Sequence, residues 1–332
     1  MTAASGATAS GGREPGIVRY RPARPDELTT CAEIWRDSIN DYIVGLGQPE
    51  IPQDLGSILR LYDHLRASDP DRFVVGLVPD PSVVDGERIV AFASAVLRER
   101  LWYLSMCFVL PEVQGRGVGR SLLAHSGPPP GDDVVRATAT DSAQPISNAL
   151  YASVGITPRL PLLNFIGHPM RPEALGSLPS GIRPVPFDEL AGGPPGGDGH
   201  AQLAAAVDAL DRESLGVAHP LDHRYLRQEG RRGWLYRGPD GVPVGYGYAT
   251  EAGRVGPVAV RDADLLVPIL GHLTGAITPR GAFALWLPGT ADRSVVAVLG
   301  AGFRMDQFPI LLCWDRPFAD FSRYLPISPG LL

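Results

Sequence analysis

The chain contains no lysine: all thirty basic side chains are arginine. A phosphate loop ending in Gly-Lys-Ser/Thr is therefore excluded. The formal net charge is −6, and no basic stripe interleaved with aromatics occurs, so no nucleic-acid partner is expected. Arginine without lysine, beside many Ala, Gly and Pro, also fits the codon bias of a GC-rich genome. Cysteine is scarce too. Cys31, Cys107 and Cys313 lie far apart and form no CxxC pair, which leaves a disulfide framework or a zinc site unsupported. Cys107 and Cys313 stand in apolar stretches and read as small buried hydrophobes. A reducing, cytoplasmic compartment is the expectation. No apolar run reaches the ~18 residues of a transmembrane helix, so no membrane partner is expected. Residues 1–16 lack the basic start and apolar core of a signal peptide and read as a disordered tail.

What is present is ordinary for a globular protein: 332 residues, 44% hydrophobic and 20% charged, enough for two domains each with its own core. Residues 17–22 read as a strand. Pro25-Asp26-Glu27 opens a helical pattern through Ile34, Trp35 and Ile39. Leu55, Ile58, Leu59, Tyr62 and Leu65 recur at helical spacing. Strands follow at 73–78, 89–97 and 101–110, the last two joined by the charged turn Arg98-Glu99-Arg100. A glycine-rich turn leads into a short helix at 118–125, ended by the Pro-Gly run 128–131. A strand at 134–139, a helix at 146–154 stopped by Gly155, and a strand at 160–166 complete the order β-α-α-β-β-β-α-β-α-β.

Residues 170–181 read as a linker. Beyond it the pattern returns. Ile182-Arg183-Pro184 resembles the opening strand, and 244–250 and 254–260 match 90–96 and 103–109. Helices at 265–273 and 294–299 and strands at 282–287 and 308–314 follow in order. The halves read as diverged copies.

The informative segment is 108–120: Phe108 and Val109 end an apolar strand, and Gln114, Gly115, Arg116, Gly117, Val118, Gly119 and Arg120 turn into a helix. The glycines let backbone amides face one point at a helix N-terminus, where an anion is favoured. Arg116 and Arg120 add positive charge. A dinucleotide loop would need GxGxxG after a first strand, and this is GxGxG after a fourth. A purely structural glycine turn is the remaining alternative.

The spacing Val109-x-Pro111-x-x-Gln114-Gly-x-Gly117-x-Gly119 resembles the coenzyme A signature of the GNAT acetyltransferase superfamily. A second match lies at Gln144-Pro145-x-Ser147-x-x-Leu150-Tyr151-x-x-x-Gly155. The resemblance covers residues 17–167. It implies an α/β fold of two GNAT-like domains, each a mixed, mostly antiparallel twisted sheet flanked by helices. The intact copy would span 17–169 and a degenerate copy 182–332. It implies acetyl-CoA as cosubstrate, held by the backbone of Phe108 and Val109, by residues 114–120 and by Gln144. It implies an amide near Val109 for the oxyanion and Tyr151 as the acid that protonates the departing thiolate. A small-molecule amine is the implied acceptor, and no metal is implied.

The general base is open. Met106 stands where relatives carry a carboxylate, with Ser105 beside it. Glu99, Asp141 and a backbone-held water remain, although Glu99 fits a solvated turn and Asp141 fits a helix N-cap. In the second copy, Asp262 and Asp264 replace the glycines and would repel phosphate. The tandem arrangement resembles that of mycothiol synthase, but there the second domain is the active one, so its substrate is not adopted. A longer acyl donor, a hydroxyl acceptor and a non-catalytic acyl-CoA sensor are the alternatives.

Overall fold

The computed structural model describes residues 18–128, 133–191 and 197–332. The tail at 1–16 and most of the Pro-Gly run at 128–131 lie outside the described residues. The first half runs β1 (Arg19–Pro22), α1 (Leu28–Ile43), α2 (Gly56–Ser68), β2 (Phe73–Pro79), β3 (Glu87–Arg98), β4 (Leu101–Val109), α3 (Val118–His125), β5 (Val135–Asp141), α4 (Pro145–Ala152) and β6 (Thr157–Gly167). The second runs β7 (Arg183–Pro186), α5 (Phe187–Leu190), α6 (Asp198–Ser214), α7 (Pro220–Gln228), β8 (Arg232–Arg237), β9 (Pro243–Ala249), β10 (Arg254–Val260), α8 (Leu266–Ala276), β11 (Phe283–Pro288), α9 (Asp292–Ala301), β12 (Arg304–Trp314) and β13 (Tyr324–Leu325). The element order read from the first half is the observed one.

The two halves build one continuous sheet, ordered β1-β2-β3-β4-β5-β12-β6-β11-β10-β9-β8-β7. Its centre is an exchange. The long strand β12 of the second half pairs with β5 of the first, and β6 of the first half pairs with β11 of the second. β6 and β12 pair antiparallel with each other, from Arg304 opposite Ile166 to Trp314 opposite Thr157. Each half thus supplies the strand that completes the other, and the middle of the sheet has no free edge between the copies. Residues 170–181 are packed rather than loose: Leu175 is fully buried in the core that α8 and α9 share.

Alternation along the strands sends side chains to two faces. On one face α1, α2, α6 and α7 share a single apolar core, through residues such as Tyr62, Leu65, Leu203 and Leu226. On the other face α3 and α4 cover the first half, and α8 and α9 cover the second. Arg98 pins the shared core. It is 6% exposed and lies 2.7 Å from Asp69 of the first half and 2.7 Å from Asp222 of the second. Asp222 also meets His64 at 2.7 Å. Asp211 contacts His223 at 2.8 Å and accepts from Tyr246 at 2.5 Å. Asp211, His219 and His223 form a buried group, but the two imidazole rings stack 4.3 Å apart. Both Nε2 atoms turn to the same carboxylate oxygen, Asp211 Oδ2, at 3.3 and 2.8 Å, and we read the group as a hydrogen-bonded network. No helix among the described residues is long and apolar enough to cross a membrane.

Candidate active site

β4 and β5 run parallel and pair only from Leu101 opposite Val135 to Leu104 opposite Thr138. Past that point β4 continues to Val109 and β5 to Asp141 with no pairing between them, while β5 turns its other edge to β12. The Thr138 hydroxyl donates to the Leu104 carbonyl at 2.8 Å, holding the branch point. A splayed parallel pair leaves backbone amides and carbonyls of β4 available to an extended ligand. At the branch β4 carries a bulge. Ala95 faces Leu104 and Ser94 faces Met106, so Ser105 is the extra residue. The bulge puts Tyr103, Ser105 and Met106 on the α1/α2 face and Cys107 on the α3/α4 face.

The glycine turn sits at the open end of β4. Gly115 and Gly117 have φ of 75° and 81°, the left-handed region that only glycine enters cheaply. Gly117 is the N-cap of α3, and no side chain caps that helix. Its first-turn amides therefore have no partner within the helix. Gly119 serves a different purpose: a Cβ there would lie 3.0 Å from Leu150 Cδ2, so it allows α3 and α4 to pack closely. Gln114 turns its amide back to the Val109 carbonyl at 2.9 Å, and Ser38 of α1 donates to the same carbonyl at 3.3 Å. Arg116 is exposed beside the turn. Arg120 donates to Ser153 Oγ at 3.0 Å and so ties α3 to the end of α4. Val118 is buried and anchors the helix.

Tyr151 comes from α4 onto the same side as Cys107. It is 5% exposed and lies in the same apolar cluster as Cys107. Burial raises its pKa well above the usual phenol value and pushes Cys107 up to about 12, so both are protonated at neutral pH. Gln144 is the N-cap of α4, its side chain accepting from the Ile146 amide at 3.2 Å. The expectation that Asp141 caps this helix is corrected accordingly. Asp141 instead accepts from Tyr42 Oη of α1 at 2.9 Å and from the Ala143 amide at 2.9 Å, and burial raises its pKa. Glu99 drops out as a base. It sits at the closed end of β4, in the turn, hydrogen-bonded to Arg212 at 2.8 Å.

Three residues around the splay escaped the sequence reading. Ser38 and Tyr42 are four apart on α1, a polar pair on a buried-facing helix. Asn148 donates to the carbonyls of Asp141 and Gln144, but its Oδ1 is buried without a partner. Buried polar atoms are nearly always bonded, so this oxygen marks a place where a ligand's N–H fits.

The second half repeats the splay and fills it. β10 and β11 pair only at Arg254 and Val255 opposite Ala284 and Leu285. Beyond that point β13 pairs with β10, Leu325 opposite Val258 and Tyr324 opposite Ala259. The turn after β10 has no glycine. Asp262 folds onto the Asp264 amide and Asp264 pairs with Arg293.

The acetyltransferase (GNAT) family model matches residues 33–155, which hold both the glycine turn and Tyr151. Those residues are a GNAT domain. Among solved structures, the chain is similar to a putative acetyltransferase from Pyrococcus horikoshii (14% identity, 98% of this chain and 99% of that one, TM-score 0.68). It is also similar to a GCN5-related N-acetyltransferase from Sphaerobacter thermophilus (18% identity, 92% and 98% covered, TM-score 0.54). A third is a tandem GNAT protein from the clavulanic acid biosynthesis pathway (16% identity, 91% and 99% covered, TM-score 0.50). At these identities the likeness is one of fold, and it extends over both GNAT-like halves. No curated protein sequence matches.

Proposed function

We propose that this protein transfers an acetyl group from acetyl-CoA to the amine of a small molecule, using only the splay of its first half. The observation that carries the reading is the open β4–β5 splay ending in the Gly115–Gly117 turn, beside a second splay that its own chain occupies. The fit to the cosubstrate rests on unsatisfied groups. First-turn amides of α3 suit a pyrophosphate, the edge of β4 at Phe108 and Val109 that β5 leaves unpaired suits the amides of a pantetheine arm, and Asn148 Oδ1 suits an N–H of that arm. When bound, acetyl-CoA supplies an activated thioester. Gln144, which caps α4 through Oε1, is kept among the cosubstrate contacts.

The chain's own groups divide the chemistry by face. Tyr151, protonated and buried beside Cys107, is placed to give a proton to a thiolate on the α3/α4 side. The amide near Val109 faces a developing oxyanion. Asp141, with its raised pKa and its Tyr42 partner, is the carboxylate at the splay on the α1 side, where an ammonium would lose its proton. The test is acetyl-CoA turnover by the parent against a panel of primary amines, with Asp141→Asn alongside. Turnover is expected, falling on the acid side as pH drops through the raised Asp141 pKa, and the asparagine variant should lose that limb. Tight coenzyme A binding without transfer to any amine would favour the sensor reading instead.

A further inference from the structure

The segment after β12 acts in both halves. Its first part, β13, fills the second splay. Its second part crosses to the first half and lies along the α1/α2 face of β4. Tyr103 Oη donates to the Pro329 carbonyl at 2.5 Å, and Ser105 Oγ donates to the Gly330 carbonyl. Ser105 is the bulge residue, so this contact sits where β4 leaves β5. A Cβ on Gly330 would come within 2.9 Å of Met106 Cε and 3.5 Å of Leu61 Cδ2. Leu331 and Leu332 are buried next to Val96, Leu101 and Tyr103. Ser94, opposite Met106 in the β3–β4 pairing, is buried with an unpartnered hydroxyl.

The glycine turn and Tyr151 occupy the other face. A nucleophile reaching a thioester held in the first splay must therefore arrive from the side on which residues 329–332 lie. We infer that Pro329 and Gly330 form the floor of the acceptor subsite, and that Gly330 against Met106 sets its width. The three atoms nearest a Cβ at Gly330 belong to Met106, Leu61 and the hydroxyl of Ser105, none of them charged. The subsite accordingly takes an amine carried on an uncharged, apolar group rather than on a phosphate or a polyacid. This rests on the function proposed above.

The test uses two bisubstrate probes on the full chain: coenzyme A whose sulfur bears a carboxymethyl N-methylamide, and the same with an N-hexylamide. Calorimetry compares both with coenzyme A itself. Gly330→Val should leave coenzyme A and the methylamide within twofold of the parent and weaken the hexylamide at least tenfold, because the new side chain drives Met106 toward the splay. Ser105→Ala, which unpins the tail without adding bulk, should shift the hexylamide at least fivefold relative to the methylamide. A hexyl-to-methyl ratio within twofold of the parent in every variant that folds would overturn the inference. Failure of the parent to bind coenzyme A at all would overturn the proposed function first, and this inference with it.

Discussion

Gly117 separates a structural from a ligand-binding reading of the turn. It has φ 81° and ψ 0°, and a Cβ there would meet nothing within 4 Å. A substitution therefore adds no clash, only backbone strain. A left-handed conformation costs an ordinary L-residue about 1–2 kcal/mol, and a β-branched residue is a genuine outlier there, whereas asparagine tolerates it. Gly117→Asn should keep the turn. Gly117→Val should release its strain by leaving the left-handed region, which re-aims the first amides of α3. Hydrogen bonds to a charged partner contribute about 1.5–3 kcal/mol each. Losing two of them weakens coenzyme A binding by roughly 10²- to 10⁴-fold, at about 1.4 kcal/mol per decade. Calorimetric titration with coenzyme A, beside thermal melts, reads both quantities. Valine binding within threefold of the parent in a folded protein would refute the cradle. Asparagine binding as weakly as valine would refute the backbone argument.

Other outcomes follow from the same geometry. Tyr151→Phe removes one hydroxyl and keeps the ring, so turnover at saturating acetyl-CoA should fall roughly 10²-fold with affinity unchanged; turnover within twofold would assign the proton to water. Arg98→Ala leaves Asp69 buried without a cation and Asp222 with only its histidine contacts, and denaturant unfolding should show a loss of about 3–5 kcal/mol. Burial works against the charges of Asp211 and Asp222, but His219, His223, Arg98 and His64 outweigh it and hold both pKa values well below the ordinary range. A depressed carboxylate pKa stabilises the fold above the unfolded value near ~3.9 and loses that contribution below it. Stability measured by unfolding should thus hold from pH 7 to about 5 and fall steeply below about 4.

The reach of the sequence followed the range of the interactions. Short-range signals were legible: Gly115, Gly117 and Gly155 at their turns, the order of strands and helices in the first half, and Asp262 and Asp264 where glycines were missing. Gly119 was legible as a glycine but not as the contact point of Leu150. The strand exchange of β6 and β12 was not visible, because nothing in an apolar strand names its partner across 140 residues of chain. The helices α6 and α7 went unread: small and charged residues dilute the apolar stripe of α6, and α7 is only 9 residues long. Ser38, Tyr42 and Asn148 look like surface polar residues until α1 and α4 are laid against the splay. Residues 315–332 carry no periodic signal, and only tertiary structure sends Gly330 to Ser105.

Coenzyme A stoichiometry tests the central claim most directly. If the first splay is the cofactor site and β13 fills the second, calorimetry on the full chain should give one coenzyme A per chain, lost in Gly117→Val. Two sites per chain, or one site that survives Gly117→Val undiminished, would contradict it.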